Sequence, residues 1–289
     1  MSQSSYKPGD DAVLPFSDLH CHSLCSDGEL SPRDLVRRAA ERGLELLAIT
    51  DHDTVAAIDP ARLEADALGL KLINGTELTC LWDTRVVHII GLGFDHQQSQ
   101  MQAYLERLVG LRNQRAEIIA QKLVKKGCPD LLQEASEIAG VGQVGRPHFA
   151  RALVEAGVVS TENQAFNQYL GAGKVGDVKV SWPTMAEGIG VIKNAGGVAV
   201  LAHPTKYNLS FTKIRILVER FALEGGGGIE ISYPGADAGH IIQLDKLAEK
   251  HGLVISAGSD FHKTAFHWTD LGKYPRYKSN SPHILQTLL

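Results

Sequence analysis

Leu14 to Asp53 reads LPFSDLHCHSLCSDGELSPRDLVRRAAERGLELLAITDHD, and this stretch by itself describes a strand, a helix and a second strand. Leu14 to His22 is extended in character. Ser31-Pro32 then supplies an N-cap and a first-turn proline for a helix running to about Arg42, which Gly43 stops. Leu44 to Thr50 is a short apolar strand. Both strands end in groups suited to metal ions. His20 and His22 are two residues apart on the first, so both side chains emerge on one face, and Asp27 follows in the loop. His52 ends the second strand between Asp51 and Asp53. Cys21 lies on the opposite face from the two histidines and is expected to pack as a small hydrophobe.

The same βα pattern recurs outward from this stretch. Asp59-Pro60 opens a helix, Leu70 to Ile73 is a strand, and Arg85 to Gly91 alternates as a strand. From about Gln97 to Leu170 the pattern is helical only. Helices at Met185 to Ala195, Ile214 to Leu223 and Ile241 to His251 then alternate with strands at Gly197 to Ala202, Gly228 to Ser232 and Leu253 to Ala257. About seven strands with intervening helices predict an α/β fold, a closed or nearly closed parallel barrel with a helical insertion and its functional residues at the strand C-terminal ends. Gly75-Thr76-Glu77, His88, Ala202-His203-Pro204 and Gly258-Ser259-Asp260-Phe261-His262 all fall in such places. Each reads alone as a cap or a loop charge, but six such segments together read as one metal cluster.

Composition narrows the classes. The 289 residues are 44% hydrophobic and 21% charged, with a formal net charge of -4, so no global basic signature of a nucleic-acid coat protein is present. Met1 to Pro15 lacks an apolar leader core and no run is long enough to span a bilayer, which predicts a cytoplasmic protein with no membrane partner. Four cysteines, Cys21, Cys25, Cys80 and Cys128, form no CxxC pair and predict neither a disulfide scaffold nor a thiolate zinc site.

Arg112-Asn113-Gln114-Arg115-Ala116, Gly145-Arg146-Pro147-His148-Phe149-Ala150-Arg151, Tyr169-Leu170-Gly171-Ala172-Gly173-Lys174 and Ala202-His203-Pro204-Thr205-Lys206-Tyr207-Asn208-Leu209 complete the set. With them the chain resembles the polymerase and histidinol phosphatase (PHP) family over nearly its whole length. It is most similar to the branch of 3',5'-nucleoside bisphosphate phosphatases and ribonuclease AM, a 5'-to-3' exonuclease. The resemblance implies a distorted (β/α)7 barrel built from residues 14–96 and 181–289. Residues 97–180 would form an all-helical, substrate-binding cap. It further implies up to three metal ions: one held by His20, His22, Glu77 and Asp260, a second by Glu77, His88 and His203 with Glu77 bridging, and a third by Asp27, His52 and His262.

Imidazole and carboxylate without thiolate suit two or three divalent ions, Mn²⁺ first, with Fe²⁺ or Zn²⁺ as alternatives. Paired ions can lower the pKa of a shared water toward about 7, so a hydroxide held at the Glu77 bridge is the expected nucleophile. The third ion, at Asp27, His52 and His262, would stabilise the leaving alkoxide. Asp51 and Asp53 are orienting partners or turn caps, and Glu230 a supporting or substrate residue. Arg112, Arg115, Lys122 and Lys126 border an apolar helical stripe of Leu105, Leu108, Ile119 and Leu123. The lysines read as a solvated border; the resemblance makes the arginines phosphate contacts. Arg146 and His148 at a helix start are expected to grip a terminal phosphate, with Lys174 and Lys206 as further candidates. His96, His240, His251, His267 and His283 are expected at the surface. One departure stands out: Gly176-Asp177-Val178-Lys179 replaces a stretch in which the branch carries a tyrosine, leaving Tyr207, Tyr233, Trp182 or Phe149 to offer a stacking face.

The expected activity is metal-dependent hydrolysis of phosphate esters in 5'-phosphorylated nucleotides. The protein would act as a 5'-to-3' exonuclease on short single-stranded RNA or DNA, or remove the 3'-phosphate of a 3',5'-bisphosphate. A phosphatase for a small non-nucleotide metabolite such as histidinol phosphate is the alternative enzyme, and a non-catalytic metal-binding regulatory module the alternative of another class. The basic insertion weighs against the first and the full ligand set against the second.

Overall fold

Alternation along the strands divides the side chains into an inner and an outer set. The computed structural model describes residues 14–265 and 269–289, so His267 lies outside the described residues. Its strands are β1 (Ser17–Asp18), β2 (Leu46–Ile49), β3 (Lys71–Trp82), β4 (Arg85–Leu92), β5 (Val198–Leu201), β6 (Gly228–Ser232) and β7 (Val254–Ala257), arranged in chain order in one sheet. Beyond β7, Asp260 donates its backbone N–H to His20 (2.7 Å) and His22 donates to Phe261 (2.9 Å), which nearly closes the barrel. Leu46 and Ala48 of β2, Ile73 of β3, Ile90 and Leu92 of β4 and Val200 of β5 form an inner core with Leu19, to which Ile284 and Leu285 are added from the C-terminal end.

The alternate residues face outward. Leu47 and Ile49 pack on Leu35, Val36 and Ala39 of α1 (Pro32–Glu41) and on Ala61 and Ala65 of α2 (Ile58–Leu68). Ser31 caps α1 by accepting from the Asp34 N–H at 3.2 Å, as its sequence predicts. The next helices are α3 (Ser99–Lys125), α4 (Leu132–Ala139), α5 (Arg146–Glu155) and α6 (Glu162–Ala165), the last followed by a π turn over Phe166–Leu170. Then α7 (Met185–Asn194), α8 (Phe211–Leu223) and α9 (Ala238–His251) cover the rest of the barrel, and α10 (Leu285–Leu288) ends the chain. The long helix α3 serves two cores. Met101, Leu105 and Leu108 join the barrel's outer core with Ile189 of α7, whereas Ala116, Ile119 and Leu123 pack with Phe149 and Leu153 of α5 and with Leu170.

Two expectations are corrected. The barrel is not all parallel, because β4 runs antiparallel to both β3 and β5. Only Asp83 and Thr84 separate the paired Trp82 and Arg85, with Asp83 at φ 53°. Two residues can turn a hairpin, whereas a parallel crossover needs a dozen or more. His283 is also not a surface residue: it is 7% exposed, and its Nδ1 accepts the Leu285 N–H at 3.2 Å. Cys21 packs as expected, its Sγ donating to the Ala48 carbonyl at 3.4 Å, and all four cysteines are free and buried. No helix among the described residues is long and apolar enough to cross a membrane.

Candidate metal centre

Above the apolar inner core, the barrel's inward positions become polar. On β3 the inner Ile73 is followed four residues later by Glu77, and on β4 the inner Ile90 is preceded two residues earlier by His88, so strand periodicity turns both inward. Glu77 pairs with Ile90 and Thr79 with His88, which makes Glu77 and His88 diagonal neighbours on one face. His52 forms a parallel bridge with Glu77, and Asp260 and His262 arrive from the segment that closes the barrel on His20 and His22. His203, Asp260 and Asp53 take φ values of 28°, 47° and 54°, a conformation costly to residues with side chains and concentrated here at the barrel mouth.

Glu77, fully buried, has its two oxygens toward different imidazoles. Oε1 lies 3.1 Å from His88 Nδ1 and 3.0 Å from His203 Nε2. Oε2 lies 3.4 Å from both His20 Nε2 and His22 Nε2, and 3.0 Å from His52 Nδ1. Asp260 Oδ1 sits 3.5 Å from His20, 3.3 Å from His22 and 3.5 Å from His262. Asp27 completes the far side, 3.3 Å from His262 Nε2 and 4.0 Å from His52 Nε2. The nine residues form four overlapping groups, in each of which one donor atom per residue lies within 4.8 Å of the others: His20, Glu77 and His203; His20, His22 and Asp260; His52, Glu77 and His88; and His22, Asp27, His52 and His262.

This donor set fits divalent ions. His52 Nδ1, Glu77 Oε2 and His203 Nδ1 are buried without a hydrogen-bond partner, the 3.0 Å approach of the first two lacking hydrogen-bond alignment. His20 Nε2 faces His22 Nε2 at 3.2 Å, so the two ring nitrogens converge on one point. Burial opposes ionisation of Glu77, Asp27 and Asp260, yet the neighbouring histidines hold all three carboxyls well below their ordinary range. Burial works against a charged His20, but Glu230, Glu77 and Asp260 draw its pKa well up; burial wins at His52, which is driven well down. At His262, burial opposes the charge, but Asp27 and Asp260 together outweigh it and raise the pKa to about 9. Three ionised carboxylates attracting positive charge among imidazoles make a site for cations bound through N and O atoms.

Supporting residues hold the ligands in place. Glu230, on β6 beside a register shift, is fully buried; its Oε1 is 3.1 Å from His20 Nδ1 and its Oε2 accepts the His203 N–H at 2.8 Å. Asp51 fixes the Asp27 loop by accepting from the Ser23 backbone (2.7 Å) and from the Ser23 and Ser26 hydroxyls (both 2.5 Å). Asp18, which carried no signal because nothing local distinguishes it from a surface carboxylate, is fully buried. It accepts from the Ser259 (2.9 Å) and Gly272 (2.7 Å) backbone and thereby anchors the Asp260 segment.

The cationic candidates separate into different roles. Arg112 was expected at a phosphate, but its Nε and Nη2 bind Asp53 Oδ2 at 2.7 and 2.6 Å, and Nη2 also donates to Thr79 Oγ1 at 3.1 Å. It ties α3 to the loop carrying His52. His148, also expected at substrate, is buried at the start of α5, where its Nδ1 accepts the Gly145 N–H at 2.9 Å; burial pushes its pKa down to about 4, which suits that acceptor role. Arg115 and Arg146 instead converge at the loop after the π turn, Arg115 Nε on the Val178 carbonyl (3.0 Å) and Arg146 Nη1 on the Leu170 carbonyl (3.2 Å). Asp177 Oδ1 is 3.9 Å from Arg146 Nη1. Lys174 is exposed on this loop, and Lys122 on α3 and Lys126 just after it are exposed as well. Lys206 Nζ donates to Asp260 Oδ2 at 2.5 Å, beside a cavity of about 340 Å³ lined by Pro234, Gly235, Ser259, Asp260 and His262. Of the aromatic candidates, Phe149, Trp182 and Tyr233 are buried, whereas Tyr207 is half-buried with its hydroxyl engaged by the His88 N–H and the Ala202 carbonyl.

The chain matches the PHP domain over residues 18–168. It is 44% identical over 258 residues to the 5'-3' exoribonuclease Rnm of Escherichia coli, covering 89% of this chain and 88% of that protein. It is 36% identical over 256 residues to the 3',5'-nucleoside bisphosphate phosphatase of Chromobacterium violaceum, covering 88% and 90%. An amidohydrolase structure from Chromobacterium violaceum with bound sulfate and no metal superposes with a TM-score of 0.87 at 34% identity, over 94% of this chain and 95% of that one. With more than half of its residues matched to the domain and these relatives aligned over nearly nine-tenths of its length, the chain belongs to the PHP family.

Proposed function

We propose that the chain is a metal-dependent phosphoesterase acting on 5'-phosphorylated nucleotides. It would release 5'-mononucleotides from the 5' end of short single-stranded RNA or DNA and remove the 3'-phosphate of a 3',5'-bisphosphate. The observation that carries this reading is the buried Glu77 carboxylate, whose two oxygens meet separate sets of imidazoles at the barrel mouth. His20, His22, Glu77 and Asp260 would hold one ion, Glu77, His88 and His203 a second, and Asp27, His52 and His262 a third, with Mn²⁺ ahead of Fe²⁺ or Zn²⁺. When bound, such ions lower the pKa of water toward about 7 and offset the charge gathering on a phosphoryl group.

The chain's own residues do the positioning. Glu230 fixes the ring of His20 and the backbone that carries His203. Arg115 and Arg146, with the α5 N-terminus adding positive potential, would hold the 5'-phosphate and set the phosphorus on the 3' side at the cluster. Lys206 adds positive charge beside Asp260. The named activities of the Escherichia coli and Chromobacterium violaceum relatives support both outcomes, which differ only in what leaves from the 3' oxygen. Free, buried cysteines suit a reducing compartment, in keeping with a cytoplasmic enzyme.

The test is product analysis of the Mn²⁺-loaded protein on a short 5'-phosphorylated RNA, with a nucleoside 3',5'-bisphosphate in parallel. Stepwise release of 5'-mononucleotides supports the exonuclease, and phosphate from the bisphosphate alone restricts the enzyme to small nucleotides. No reaction with either overturns the reading and leaves the non-nucleotide phosphatase.

A further inference from the structure

We infer that Asp177 is a specificity-determining residue that limits the negative charge accepted at the 5' end, favouring a 5'-monophosphate over a 5'-di- or triphosphate; this rests on reading Arg115 and Arg146 as the 5'-phosphate clamp. The loop from Leu170 to Val178 frames that clamp. Its first carbonyl holds Arg146 (3.2 Å), its last holds Arg115 (3.0 Å), and Asp177 lies between them in sequence, with Oδ1 3.9 Å from Arg146 Nη1. The carboxylate is not free to swing away. Its Oδ2 accepts the Gly173 N–H at 2.9 Å, its own N–H donates to Lys174 at 2.9 Å, and Gly176 N–H donates to Tyr169 at 2.7 Å. Side chains of Asp177 and Arg146 are 28% and 35% exposed, so the pair borders solvent where a ligand can reach it.

Charge counting gives the consequence. Arg112 is already balanced by Asp53, so the clamp holds two guanidiniums and one fixed carboxylate. Burial and the two nearby guanidiniums lower the Arg115 pKa to about 10 while Asp177 raises it, which places these groups within one another's fields. One net positive charge can share a monophosphate dianion. Each further phosphate adds negative charge beside a carboxylate that cannot leave, and exposed Lys174 is screened by solvent.

The experiment compares kcat/KM for one short RNA bearing a 5'-hydroxyl, 5'-monophosphate or 5'-triphosphate, at fixed free Mn²⁺ and ionic strength, in the wild type, Asp177→Asn and Arg146→Ala. Asparagine keeps an oxygen for the Gly173 N–H and removes only the charge. The wild type is expected to favour monophosphate over triphosphate by about tenfold, the effect of one like charge a few ångströms away at a half-exposed site, and Asp177→Asn to bring that ratio close to one. An unchanged ratio, or an equal loss on all three substrates, overturns the role of Asp177 while Arg146→Ala still erases the 5'-phosphate preference. Persistence of that preference in Arg146→Ala overturns the clamp itself.

Discussion

Glu230 Oε1 lies 3.1 Å from Nδ1 of His20, with both side chains fully out of solvent and 210 residues apart in the chain. A carboxylate on Nδ1 fixes the ring and its tautomer, leaving Nε2 toward Glu77 and Asp260. Glu230→Gln is therefore expected to weaken metal binding by roughly 10- to 100-fold, with activity recovering only at higher metal concentration. Competition with a chelator checks this, and wild-type affinity would leave Glu230 with a packing role.

Removing Glu77 takes away a carboxylate whose two oxygens face different imidazoles, His88 and His203 on one side and His20, His22 and His52 on the other. Glu77→Ala should lower bound metal and abolish metal-dependent turnover, whereas His52→Ala should leave part of the metal in place because His20, His22, Glu77, Asp260 and His203 remain. Elemental analysis of both purified variants tests the partition. Full metal content in Glu77→Ala, or complete loss in His52→Ala, would contradict it.

Arg112 and Arg146 should fail in different ways. The Arg112 side chain is 11% exposed and its partner Asp53 is fully buried, so Arg112→Ala leaves an unpaired buried carboxylate and should cost about 3 kcal/mol in urea unfolding. Arg146 faces a partner across 3.9 Å at a partly open site, and its loss should cost less than about 1 kcal/mol while removing the preference for 5'-phosphorylated ends. Equal destabilisation by the two substitutions would merge roles that the geometry keeps apart.

His283 predicts an acid-sensitive contribution to stability away from the metal cluster. Burial holds its folded pKa at about 4, below the ordinary 6.5, and its Nδ1 must stay unprotonated to accept the Leu285 N–H. The unfolded chain binds the proton more readily, so the contribution is complete above pH 6.5 and is lost as pH falls toward 4, up to about 3 kcal/mol. His283→Asn should be less stable at neutral pH and show a shallower decline across that window than the wild type. Parallel pH curves for the two proteins would refute the assignment.

Much of this protein follows from local sequence. Ser31-Pro32 and Gly43 mark the first helix because caps and breakers act within a turn, and the alternation of Arg85 to Gly91 marks β4 because strand periodicity is local. His20 and His22, two residues apart, and the other ligand candidates were recognisable for the same reason, although Glu77 and His88 lie within β3 and β4 and not at their ends. The direction of β4 was not, since alternation reads the same both ways and the two-residue turn at Asp83 and Thr84 alone reverses the chain. Nor could sequence assign the buried polar partners. Whether Arg112 meets a phosphate or Asp53, whether His148 meets substrate or the Gly145 N–H, and whether Asp18 and Glu230 are solvated or buried depend on groups brought together from distant segments. A charged side chain is satisfied by whatever lies within about 3 Å of it. Local pattern therefore determined the elements and the candidate ligands, and tertiary packing alone decided which charges are internally neutralised and which gather at the barrel mouth.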